Sequence, residues 1–98
     1  MAAMQVVDVN LDLEEMVIHF KEERHPEKIP YKEIERIQLS QTEVRKWFVK
    51  KKVNQLEVHV KGKNETFLLQ DGQLKAPFEA TAEFFKNHAQ KFNIEFVE

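Results

Sequence analysis

Apolar and polar positions alternate along most of the chain, and the period lengthens near its end. From Val7 to Leu13, valine or leucine takes every second place against Asp8, Asn10 and Asp12, the period of a half-buried strand. After Glu14-Glu15, Met16, Ile18 and Phe20 point one way while Val17 and His19 point the other, so the two runs predict a hairpin. Residues 21–28 are charged around Pro26 and predict a loop. Ile29-Pro30-Tyr31 predicts a short edge strand, because proline forces extension and removes a ladder donor. Ile34 and Ile37 have helical spacing but Ile37 and Leu39 strand spacing, the pattern of one helical turn feeding a strand. Trp47, Phe48 and Val49 begin a further strand, Leu56, Val58 and Val60 alternate with polar neighbours, and Phe67-Leu68-Leu69 follows the turn Gly62-Lys63-Asn64. These predict a three-stranded meander, left through Asp71-Gly72.

Pro77 suits the first turn of a helix. Beyond it Phe78, Ala82, Phe85, Ala89 and Phe92 recur in steps of four and three, which lines them along one face of a helix of about 15 residues. Phe84 lies about 100° round that helix from Phe85, so one of the two reaches the rim. Asn93 predicts the helix stop, and Ile94, Phe96 and Val97 predict a final short strand or docked tail. The elements add up to an α+β fold, a curved antiparallel sheet or partly open β-barrel of about seven strands with one C-terminal helix.

With 98 residues, the chain has room for a single domain, residues 1–98, around one core. A composition of 42% hydrophobic and 33% charged residues excludes chain-wide disorder. The absence of cysteine excludes disulfides and thiolate-bound zinc and predicts a reducing, cytoplasmic setting. No segment has the roughly 20 apolar residues of a membrane span, and no secretory leader is expected from the pattern at the N-terminus.

Lys28-Ile29-Pro30-Tyr31-Lys32-Glu33-Ile34-Glu35-Arg36-Ile37 resembles the isoleucine-proline-tyrosine segment that precedes a central strand in bacterial pleckstrin-homology-like (PH-like) domains. Leu56-Glu57-Val58-His59-Val60-Lys61-Gly62-Lys63 is similar to their penultimate hairpin, and the resemblance spans residues 5–92. It implies a partly open barrel with its helix across one end, a scaffold for binding lipids, peptides or proteins that does not dictate the ligand. A phosphoinositide site in PH domains draws its bases from the first hairpin, where this chain carries Asp12, Glu14 and Glu15. Head-group binding at that place is therefore not expected.

The densest functional signal is Arg45, Lys46, Trp47, Lys50, Lys51 and Lys52, with Lys61 and Lys63 on the next hairpin. Clustered cations concentrate phosphates and acidic partners around them. The same run is also what an edge strand uses to discourage aggregation. A net charge of −2 and a pI near 6.1 argue against nucleic acid. Asp8, Asn10 and Asp12 imitate a calcium loop, but Leu13 and His19 stand where its glycine and bidentate glutamate belong. His19, His25, His59 and His88 lack zinc-ligand spacing, so no metal and no cofactor is expected. Ser40, Thr42, Thr66 and Thr81 sit in no nucleophile turn and the two glycines stand apart, so no catalytic residue and no enzyme activity is expected. The expected function is a non-catalytic interaction module meeting a protein partner through a sheet edge or the basic hairpin. The alternative is binding to an anionic membrane surface or ligand through Lys50–Lys52, Lys61 and Lys63. An exposed Phe84, together with a sheet edge near Tyr31 or Trp47, would be a surface for a second copy of the chain or for a peptide.

Overall fold

The computed structural model describes residues 2–98, apart from the side chains of Ala2, Ala3 and Lys46. The elements run β1 (Ala2–Leu11), β2 (Glu15–Phe20), β3 (Glu27–Pro30), a 3-10 turn (Tyr31–Glu33), β4 (Ile34–Lys46), β5 (Val49–Val60), β6 (Glu65–Gln70), α1 (Phe78–Lys91) and β7 (Glu95–Val97). Together the strands make one open sheet in the order β3-β2-β1-β6-β5-β4-β7. Two antiparallel meanders, β1-β2-β3 and β4-β5-β6, are its halves.

The sheet is mixed rather than antiparallel throughout, and it does not close into a barrel. β1 meets β6 in parallel over Ala2–Gln5 and Glu65–Leu68, and β7 lies parallel to β4 beside Arg36–Gln38. The second pairing follows from the helix, since a parallel return needs a crossover connection and α1 supplies it. β3 and β7 remain the two edges.

Two bulges explain where the alternation misleads. In β1 the register shifts between Val6 and Asp8, so Val6, rather than Val7, is the fully buried residue; Leu13 lies in the turn, 84% exposed. At the start of β4 the register shifts between Ile34 and Arg36. The extra residue lets Ile34 and Ile37, three apart, both face the core, a spacing that imitates a helix. The helical turn itself comes one step earlier, at Tyr31–Glu33.

One apolar cluster joins both halves of the sheet to α1, with Met16, Ile18, Ile29, Ile37, Leu56, Val58, Phe67 and Leu69 from strands and Phe78, Phe85 and Ala89 from the helix. Burying side chains of this size contributes roughly 1.5–3 kcal/mol each. The helix ends as Asn93 predicts: its φ of 55° is left-handed, and the Ile94 N–H reaches back to the Ala89 carbonyl at 2.8 Å, the long bond of a Schellman cap. Among the described residues, no helix is long and apolar enough to cross a membrane.

Candidate functional site

β4, of 13 residues, and β5, of 12, run about twice the length of β2 and β6, of six each. β5 pairs with β6 only over Gln55–His59, and β4 with β7 only over Arg36–Gln38. From Gln41 and Asn54 outward the two strands therefore continue as a free two-stranded ribbon, in register up to Lys46 opposite Val49. Trp47 and Phe48 form the two-residue turn at its apex rather than the beginning of a strand. Trp47 has φ 60° and Phe48 is not left-handed, the φ pattern of a type II′ turn, which normally takes glycine first. A bulky side chain in that region is strained.

The apex is also bare. Trp47 is 87% exposed, Phe48 100% and Val49 66%. Behind it, Arg45 stands opposite Lys50 and Glu43 opposite Lys52, all exposed on one face, while Lys51 stands opposite Val44 on the other. Like charges facing each other, as at Arg45 and Lys50, weaken a sheet rung. The side chain of Lys46 lies outside the described residues.

Lys61 and Lys63 do not join this patch. They lie in the β5–β6 turn, at the far end of a 12-residue strand, roughly 35 Å from the apex at 3.3 Å per residue. Lys63 is ion-paired with Glu27, which also receives Arg24 at 3.7 Å. That pairing ties the turn to β3. The basic cluster read along the chain is thus two separate groups, and only Arg45, Trp47 and Lys50–Lys52 are brought together.

The ribbon's root is locked on its outer face by a ladder of polar side chains. Gln70 Nε2 donates to Gln55 Oε1 at 3.1 Å, Gln55 Nε2 to Ser40 Oγ at 3.2 Å, and Ser40 Oγ to Glu57 Oε2 at 2.9 Å. Ser40 is thus occupied structurally.

A concavity of about 580 Å³ opens between β1 and α1. Its strand wall is Val9–Asp12, four consecutive residues, with Val17 of β2 beside them, and its helix wall includes Ala80, Phe84 and His88. Phe84 is 57% exposed, so it is the rim phenylalanine, and Phe85 the core one. His88 Nδ1 donates to the Phe84 carbonyl at 2.8 Å. Nothing in the pattern of β1 singles this groove out, because it exists only where the bulge and the loop before α1 part β1 from β6. Among the described residues, no three histidine, aspartate or glutamate side chains converge as for a metal ion.

No protein-family model, curated protein or solved structure matches this chain.

Proposed function

We propose that the protein is a non-catalytic binding module of PH-like organisation that docks on an anionic membrane surface through the β4–β5 ribbon. The observation that carries this is the bare apex: Trp47, Phe48 and Val49 project beyond the body, ahead of Arg45, Lys50, Lys51 and Lys52. Lys50 and Lys52 stand two and four residues behind Phe48, about 7 and 13 Å along the strand. That spacing matches an interface in which apolar groups sink about 5–10 Å while cations stay level with phosphates. A convex tip, apolar in several directions, suits lipid, which needs no matching shape; a protein would have to supply a cavity.

The magnitudes fit weak, reversible attachment. Four bases near an anionic surface contribute about 1 kcal/mol each, and the apex adds several kcal/mol. Lost translational and rotational freedom offsets at least about 4 kcal/mol of that. The PH-like reading is supported by two three-stranded meanders followed by a helix over the core, and by Ile29-Pro30-Tyr31 leading directly into β4. A chain without cysteine suits the cytoplasmic leaflet, which carries the anionic lipid.

Trp47 is the only tryptophan, so its emission reports the apex alone. With vesicles containing phosphatidylglycerol its emission shifts to the blue, and the protein sediments with them. Neutral phosphatidylcholine vesicles give neither effect. Binding weakens from low to physiological salt. The combined change Lys50→Glu, Lys51→Glu and Lys52→Glu abolishes it with the circular dichroism intact. A chain whose Trp47 emission is unmoved by anionic vesicles at low salt would overturn the proposal.

A further inference from the structure

The groove beside β1 is a strand edge that lacks its neighbour. β1 is hydrogen-bonded to β6 only as far as Gln5; beyond the bulge the loop before α1 takes over at one point, where Lys75 N–H donates to the Val7 carbonyl at 2.8 Å. From Val9 on, no strand of the described residues covers that side of β1.

The direction of the free groups follows from the hairpin register. Asp12 N–H bonds across the turn to the Glu15 carbonyl at 2.9 Å, so Asp12, and with it Asn10, turn their backbone groups toward β2. In an antiparallel pair the intervening residues turn theirs away, which points those of Val9 and Leu11 into the groove. One of these donors is already spoken for in a revealing way: Val9 N–H donates to the carboxylate of its own neighbour Asp8, at 2.9 Å. A side chain fills the place that a partner strand's carbonyl would take.

The opposite wall sets Ala80 and Phe84, one helical turn apart, facing the strand across the gap, with the polar Thr81 and His88 beside them. A groove of this kind, backbone on one side and a helix face on the other, is the geometry of recognition by strand addition: main-chain bonds hold an extended segment and alternate side chains meet the wall. Charge selects among such segments. Among the described residues, no lysine or arginine side chain lines the groove, Asp12 lies within it, Asp8 borders it through its bond to the Val9 N–H, and Glu14 and Glu15 crowd with Asp12 around the adjoining turn. We propose that this groove binds an extended, cationic segment of a partner protein, which adds to Val9–Leu11 as a strand and sets its apolar side chains against Ala80 and Phe84. The site is independent of the ribbon, and either stands without the other.

The probe is a blocked peptide of alternating valine and lysine, seven residues long by design, titrated into the 15N-labelled full chain. The amide resonances of Val9–Asp12 and of the helix around Phe84 move, and those of the ribbon do not. A peptide of the same sequence with alternate backbone nitrogens methylated loses binding, because its side chains and charge persist while its strand-edge donors are gone. Asp12→Lys weakens the unmodified peptide by about tenfold or more, the scale of one charge pair. Ala80 is exposed on the helix, so Ala80→Phe fills the groove without entering the core and blocks binding in a folded chain. Either no shift of Val9–Asp12 at millimolar peptide, or equal binding of the methylated peptide, overturns the proposal.

Discussion

Tyr31 ties the first hairpin to the helix. Its Oη donates to the Asp12 carbonyl at 2.6 Å, and its ring lies 4.6 Å from that of Phe92 and 5.2 Å from that of His88. Burial, reinforced by the negative charges of Asp12 and Glu15, pushes the phenol up to about 12. The native state therefore keeps a proton that the unfolded chain releases above about pH 10. Stability from this group is complete below pH 10 and is lost as the pH rises through 12, by about 2–3 kcal/mol. Tyr31 is the only tyrosine, so tyrosinate absorbance reads it directly. The folded chain titrates near 12 and the urea-unfolded chain near 10, and raising the pH lowers the urea midpoint of the native protein more than that of Tyr31→Phe. Trp47 carries the opposite kind of constraint, a strained φ with nothing packed on the side chain. Trp47→Gly relieves that φ and raises stability by about 1 kcal/mol in urea melts. It also weakens sedimentation with anionic vesicles, which is the outcome expected if strain is retained for binding.

At the scale of elements, the ribbon is held by its root. Gln55 is 8% exposed and joins Gln70 to Ser40, so three strands are linked through one side chain. Gln55→Ala breaks both bonds and leaves their partners half-buried, a cost of about 1–3 kcal/mol in urea denaturation, with looser amide protection along the ribbon as a second sign. The pattern that made most strands legible is burial on one face: Met16, Ile18 and Phe20 alternate because the core lies on one side of β2, and Phe78, Phe85 and Ala89 follow the helix for the same reason. Where a bulge moves the phase, a faultless alternation points to the wrong residue, as at Val6/Asp8, or a strand takes on a helical spacing, as at Ile34/Arg36. The ribbon was hidden differently. Residues 49–54 are a strand without a core face, held by ladder bonds to β4, so their lysines carry no periodic signal of how far β5 extends. Hence the charge at Arg45 and Lys50–Lys52 is visible in the chain, whereas its separation from Lys61 and Lys63 is not.

For the whole molecule, the question is whether the ribbon belongs to the fold or only to its use. Among the described side chains of residues 41–54, none is part of the apolar cluster or is a hydrophobic group packed against it. Those residues hold five bases against the single acid Glu43, while the chain as a whole is at −2, so the body without them is distinctly acidic. The register offers a clean way to remove them. Lys46 and Val49 flank the native two-residue turn, and stepping back by twos along both strands leads through Val44/Lys51 and Thr42/Val53 to Ser40/Gln55. Rungs two apart are equivalent in an antiparallel ladder, so Ser40/Gln55 can flank a two-residue turn as Lys46/Val49 does. Replacing residues 41–54 by Asn-Gly therefore closes the hairpin with a favoured turn and leaves every core residue on its face. At the root, the deletion also takes away the carbonyl of Asn54, to which Asp71 N–H donates at 2.9 Å. The shortened chain folds, with a thermal midpoint within several degrees of the parent, and it no longer sediments with anionic vesicles. Its groove beside β1 still takes the valine-lysine peptide, because neither wall of that site draws on the ribbon. An unfolded product would mean that the ribbon stabilises the body through interactions beyond the cluster; a folded product that still binds vesicles would move the membrane surface elsewhere on the molecule.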